Sequence, residues 1–110
     1  METPLTLVID QGTHSTRAIA FDGNGQVRAS AFCPVALRGH GTATVEQDAA
    51  EIAASMAQVV EAVLAEPLVR RLGVASAGLT TQRSTVAAWD KLTGQPLAPL
   101  LSWQDRRVAA

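Results

Sequence analysis

Apolar and polar residues follow rhythms that change from one segment of the chain to the next. Residues 5–10 form a short apolar run ending in Asp10-Gln11-Gly12, and suit a central strand. Residues 16–22 alternate, with Ala18, Ala20 and Asp22 on one side and Arg17, Ile19 and Phe21 on the other. Asp22-Gly23-Asn24-Gly25 is a hairpin signal, because these residues tolerate the backbone angles a tight turn needs. Residues 26–35 then read as a third strand. Strands joined by such short turns predict an antiparallel meander.

The rhythm then lengthens. Gly39-His40-Gly41-Thr42 breaks the pattern as a loop, in which His40 is assigned no role. Asp48 is a helix N-cap, and Glu51 three residues on completes an acidic form of the capping box. Ile52, Met56, Val59, Val60, Val63 and Leu64 recur at helical spacing, so a helix is expected over 48–65, with Pro67 marking its end. Residues 72–79 read as a buried strand, Thr80 to Ser84 as a polar interruption and residues 85–89 as a further strand. A turn follows at 90–94, and Pro96 and Pro99 keep the next stretch extended. Residues 100–103 make a short strand, and residues 104–110 look like the opening of a helix. The order β-β-β-α-β-β-β places the chain in the α/β class with a mixed sheet.

Composition narrows the function. A chain of 110 residues, 47% hydrophobic, suits one small globular core. Nine basic against ten acidic residues give no basic footprint, which argues against a general nucleic-acid binder. The single cysteine, Cys33, excludes an internal disulfide and a cysteine-built zinc site. The N-terminus lacks the basic start and long apolar run of a secretory signal, and no run reaches the length of a membrane span. A cytoplasmic protein with no membrane partner is expected.

The chemistry concentrates in Asp10-Gln11-Gly12-Thr13-His14-Ser15-Thr16-Arg17. Gly12 is read as supplying a backbone conformation closed to other residues, and successive amides in such a turn form an anion-binding hollow. Thr13, Ser15 and Thr16 can donate to phosphate oxygens. Asp10 could orient Mg²⁺ through water, since that ion keeps several of its waters. The alternative is a plain hairpin turn with polar tips. The stretch is not a P-loop, because it lacks the G-x-x-x-x-G-K-[ST] spacing and joins two strands. Elsewhere, Arg83 reads as a loop cation, Trp103 as a core or interface anchor, and Asp105-Arg106-Arg107 as a solvated helix start.

Five motifs, in order along the chain, change this balance. The stretch D-Q-G-T-x-S-x-R-A-I-x-F-D resembles the phosphate-binding hairpin of the FGGY family of carbohydrate kinases, its glycerol kinase members most closely. Val45-Glu46-Gln47-Asp48 resembles the family's V-E-x-D, and Thr81-Gln82-Arg83-Ser84-Thr85 resembles N-Q-R-E-T. Residues 89–96 resemble W-x-K-x-T-G-x-P, and Trp103-Gln104-Asp105-Arg106-Arg107 resembles W-Q-x-R-R. The resemblance implies an actin-like ATPase fold with a ribonuclease-H-like N-terminal half. It implies transfer of the ATP γ-phosphoryl group to a sugar or polyol hydroxyl, with ATP and Mg²⁺ as cofactors. By position, Asp10 would hold the magnesium–nucleotide region, Gly12, Thr13, His14, Ser15 and Arg17 would line the phosphate site, and Gln82, Arg83, Ser84 and Trp103 would form the substrate side.

Two residues depart from the pattern. His14 stands where a hydroxyl residue is common, which makes the local charge pH-dependent. Ser84 stands where the glycerol kinases carry a Glu that accepts from substrate hydroxyls. A site lacking that acceptor discriminates against the same substrate, which puts glycerol in question and another polyol or a sugar on at least equal footing. The family's catalytic Asp falls beyond residue 110, so residues 1–110 are expected to be the N-terminal part of the first kinase domain, with no catalytic base and no activity alone. A non-catalytic actin-like nucleotide-binding or interaction module is the competing reading. A sheet lacking a strand would also leave an edge open to self-association.

Overall fold

The computed structural model describes residues 2–39 and 43–108; His40, Gly41 and Thr42 of the expected loop lie outside them, while Gly39 is described. The expected meander is present as β1 (Leu5–Gln11), β2 (Ser15–Phe21) and β3 (Val27–Pro34). Register runs from Thr6 opposite Phe21 to Gln11 opposite Thr16, and from Ser15 opposite Pro34 to Phe21 opposite Val27. Between β2 and β3, Asp22 Oδ1 accepts from the Asn24 and Gln26 amides at 2.9 and 3.0 Å, and Gly25 takes the left-handed backbone (φ 77°) that closes the turn.

Helix α1 (Ala49–Leu64) starts where the N-cap signal places it, with Asp48 Oδ1 accepting from the Ala50 amide at 2.9 Å. The reciprocal half of the capping box is not made. Glu51 instead accepts from the Ala36 amide at 2.8 Å, tying the helix to the chain beyond β3. The buried stripe is Ile52, Ser55, Val59 and Val63, whereas Leu64 is exposed. Ser55 is tolerated there because its hydroxyl bonds the buried Thr16 hydroxyl and the Ile52 carbonyl, both at 2.7 Å.

Pro67 does more than stop a helix. It occupies the first turn of a second, α2 (Pro67–Leu72), where a missing amide costs nothing. Gly73 (φ 78°) closes α2 and accepts from the Leu5 amide at 2.8 Å, delivering the chain to β6 (Val74–Thr81). β6 runs parallel to β1, from Leu5 opposite Val74 to Gln11 opposite Thr81, giving the sheet order β3-β2-β1-β6. Thr80 and Thr81 therefore belong to the strand. The expectation of a buried strand fails here: every residue of β6 is exposed, because it lies at the sheet edge while α1 packs on β2 and β3.

The core sits between sheet and helices. Leu5, Leu7, Ala18 and Ala20 meet Val59, Val63 and Val69, each large side chain contributing about 1.5–3 kcal/mol by burial. A smaller cluster of Val35, Ile52 and Leu100 lies beneath a second sheet absent from the sequence-based reading. That sheet orders β4 (Arg38–Gly39), β5 (Val45–Gln47) and β7 (Leu100–Leu101).

Two further expectations are corrected. Residues 85–89 are not a strand, and only the bridges Val86 to Leu101 and Trp89 to Pro96 form there. The described residues 104–108 are turns rather than a helix. Asp105, which would cap such a helix, accepts instead from the Val45 amide at 2.8 Å. No helix among the described residues is long and apolar enough to cross a membrane.

Candidate functional site

β1 and β2 hold their connecting turn, residues 12–14, at the end of the sheet. The Gly12 amide donates to the Ser15 carbonyl at 2.9 Å, and a Cβ on Gly12 would stand 3.1 Å from that same oxygen. Gly12 has no left-handed backbone, so close approach, not the conformational freedom expected from the sequence, explains the glycine. His14 is exposed, and its carbonyl accepts from the Val35 amide at 2.9 Å. Asp10 and Arg17 face each other across the β1–β2 ladder and form an ion pair at 2.8 Å on the sheet face away from α1.

The chain leaves β6 directly beside this turn. The Gln82 amide donates to the Gln11 carbonyl at 2.8 Å, continuing the ladder by one rung. Thr13, Gln82, Arg83, Ser84 and Trp103 then line one open cleft of about 500 Å³, a size that admits a small polar molecule. Arg83 is exposed in this cleft with no side-chain partner among the described residues. Ser84 has φ 62°, a left-handed conformation that costs a non-glycine residue about 1–2 kcal/mol. Trp103 is 51% exposed, which excludes the core-anchor reading, and its indole donates to Thr13 Oγ1 at 2.9 Å.

The cleft therefore joins one residue assigned to the phosphate side, Thr13, with the four assigned to the substrate side. Asp10, Gly12, His14, Ser15 and Arg17 sit on the same turn and its flanking strands but do not line it. Gln82 contributes mainly from behind: its amide is already bonded to Gln11, Gln47 and Thr85.

The loop carrying Trp103 is fastened to β5 by charge. Arg107 contacts Asp105 at 2.6 Å and Glu46 at 2.7 Å, and the Arg106 amide donates to the Ala43 carbonyl at 2.7 Å. The Arg107 guanidinium holds the Asp105 carboxyl well below the usual carboxylate range, aided by the Arg107 and Val45 amides. These residues are a clasp, not the solvated helix start that their composition suggested.

Sequence reasoning missed Gln47, which is fully buried beneath the turn and donates to the Thr13 carbonyl at 2.9 Å. The only available signal was a polar residue within the V-E-Q-D stretch, and nothing local says that it points inward. Among the described residues no group of three or more His, Cys, Asp or Glu side chains could hold a metal. Asp10 alone fits Mg²⁺, an ion bound through one or two carboxylates with water filling the rest of its shell. The turn's Thr13, Ser15 and Arg17 fit the phosphates of a nucleotide by their donor chemistry.

Known proteins resemble this chain over nearly its whole length. A glycerol kinase of Acinetobacter baylyi is 45% identical over 103 residues, covering 94% of this chain and 21% of that protein. An apulose kinase of Pectobacterium atrosepticum is 38% identical over 108 residues, covering 98% of this chain and 21% of its own length. The crystal structure of Plasmodium falciparum glycerol kinase with ADP superposes with a TM-score of 0.86 at 26% identity, over 97% of this chain and 22% of that one. This chain thus spans about a fifth of the length of the curated relatives it matches. Its fold is the N-terminal part of the actin-like ATPase architecture those kinases use. Residues 5–110 match the FGGY family of carbohydrate kinases, N-terminal domain, and the chain belongs to that family.

Proposed function

We propose that a kinase containing this chain transfers the γ-phosphoryl group of ATP to a hydroxyl of a sugar or polyol. The chain supplies the phosphate turn and one wall of the acceptor cleft. The observation that supports this reading is the 2.9 Å bond between Trp103 and Thr13, which sets the acceptor wall against the phosphate turn at the mouth of one cleft. Phosphoryl transfer depends chiefly on such positioning and on charge stabilisation. Thr13 and Ser15 donate hydroxyl hydrogens to phosphate, Arg17 brings positive charge, and Arg83 and Trp103 orient the acceptor. Magnesium, held by Asp10 through water, would neutralise phosphate charge. The catalytic base lies outside these 110 residues on this reading, which makes the chain alone inactive.

The acceptor is a sugar or polyol other than glycerol, because Ser84 is shorter than the Glu of the glycerol kinases and carries no charge. ADP formation from Mg-ATP, measured against a panel of polyols and sugars, tests both levels of the proposal. An acceptor other than glycerol should give the highest kcat/KM, and Ser84→Glu should raise the glycerol value relative to the others by tenfold or more. A wild-type preference for glycerol would overturn the finer assignment. Mg-ATP binding without turnover of any acceptor would overturn the kinase reading in favour of a nucleotide-binding module.

A further inference from the structure

Gln47 closes β5 just before the N-cap of α1 and has no solvent exposure. Its side chain bridges two parts of the molecule far apart in sequence. Nε2 donates to the Thr13 carbonyl at 2.9 Å, and Oε1 accepts from Gln82 Nε2 at 3.0 Å. Gln82 Oε1 accepts from the Thr85 hydroxyl at 3.0 Å, and Thr85 Oγ1 accepts from the Trp103 amide at 3.2 Å. The Trp103 indole returns to Thr13 Oγ1 at 2.9 Å. The bonds close a ring through Thr13, Gln47, Gln82, Thr85 and Trp103.

The chemistry of the ring fixes its orientation. A backbone carbonyl only accepts, so Gln47 must present its NH₂ to Thr13 and its oxygen to Gln82. Gln82 must then present its NH₂ to Gln47, leaving its oxygen for Thr85. The donors run in one sense, from the Trp103 amide through Thr85, Gln82 and Gln47 to Thr13, so each bond polarises the next. Thr13 accepts at both its carbonyl and its hydroxyl, and its own hydroxyl hydrogen is left as the free end of the ring.

We propose that Gln47 is a positioning residue that couples the two sides of the cleft. It joins the phosphate turn to the wall formed by Arg83 and Trp103, so that an acceptor seated on the wall tightens nucleotide binding at the turn. The coupling rests on the kinase reading above; the ring itself does not. Gln47 touches neither ligand and acts through the Thr13 carbonyl and the Gln82 amide. The ring holds no titratable group. Charged or titratable neighbours in the chain are His14 beside Thr13, Glu46 and Asp48 beside Gln47, and Arg83 beside Gln82, with Arg107 and Asp105 paired beyond Glu46, and none contributes a side-chain bond to the ring.

Gln47→Met keeps the volume and removes both bonds, and Thr85→Val breaks the same ring at a less buried link. The first measurement uses the 110-residue chain and no ligand. Hydrogen exchange of the Trp103 indole should accelerate at least tenfold in each variant, with the α1 amides unchanged. The second uses the kinase containing this chain. Calorimetric titration with Mg-ADP, with and without saturating amounts of the best acceptor of the panel, gives the coupling factor. The wild type should show a factor of at least five, and both variants a factor near one, with Mg-ADP affinity in the absence of acceptor changed less than twofold. Unchanged indole exchange in both variants would overturn the ring. Coupling retained in the variants, or absent from a wild type that turns over its acceptor, would overturn the role of Gln47 and leave the kinase reading standing. A wild type that turns over no acceptor would overturn both assignments of function while the exchange result still decides the ring.

Discussion

The turn at residues 12–14 and the arm at residues 82–103 face one cleft, yet different physics holds each in place. The turn hangs from two paired strands whose inner faces carry Leu5, Leu7, Ala18 and Ala20 into the core. The arm has little regular structure: two isolated bridges, a two-residue strand and a series of exposed apolar residues that includes Trp89, Leu92 and Leu97. Beyond the short pairing of β7 with β5 and the buried Leu100, it is positioned by the Gln47 ring and by the Arg107 clasp on Glu46. One side of the site is placed by long ladders and the main core, the other by a short ladder, a small cluster and side-chain hydrogen bonds. Perturbations should separate the two.

Leu5→Ala should have the largest effect and spare neither side. Leu5 is fully buried at the centre of the main cluster, and its truncation should cost about 2–5 kcal/mol, read as a lower urea midpoint. Ser55→Ala comes next, at about 1–3 kcal/mol, because it leaves the buried Thr16 hydroxyl without its partner. Adding Thr16→Val should recover part of that loss, and a simple sum of the two single effects in urea melts would contradict the pairing. Trp103→Phe should act on the arm alone. Losing the bond to Thr13 costs about 0.5–1.5 kcal/mol, seen as faster amide exchange at residues 85–103 with α1 unaffected.

Acid supplies the smallest and most selective perturbation. The folded state depresses the Asp105 carboxyl below its ordinary value of 3.8, so its contribution is fully present above that pH and declines as pH falls below it. The arm should loosen before the meander in an acid titration followed by amide exchange. Asp105→Asn should reduce that pH dependence to the part carried by Asp90, whose carboxyl the Thr93 and Leu92 amides also hold below its ordinary value. Simultaneous loosening of arm and meander in the wild type would contradict the division.

The same contrast explains what could be read from sequence. The meander and α1 were legible because a local period dictates them: alternation for β2, helical spacing for Ile52, Val59 and Val63. α2 was missed because Pro67 signals both a stop and a start. The strand expected at residues 85–89 rested on composition, and the segment makes only the isolated bridges Val86 to Leu101 and Trp89 to Pro96. The helix expected after Trp103 failed because the Val45 amide, 60 residues away, engages Asp105. Thr13, Arg83, Ser84 and Trp103 were found through motifs, and the fold brings them to one cleft. Gln47 was invisible, since a buried amide is defined by its distant partners and not by its neighbours in sequence.

The ion pair between Asp10 and Arg17 has its own consequence for how a nucleotide would arrive. As the pair stands, the two charges cancel locally and stay partly hydrated. On the proposed kinase reading, a magnesium-bound phosphate would bring a cation suited to Asp10 and an anion suited to Arg17, so its entry would be an exchange of counter-ions. Free phosphate or free magnesium would satisfy only one half of that exchange, and the turn would favour the two delivered together.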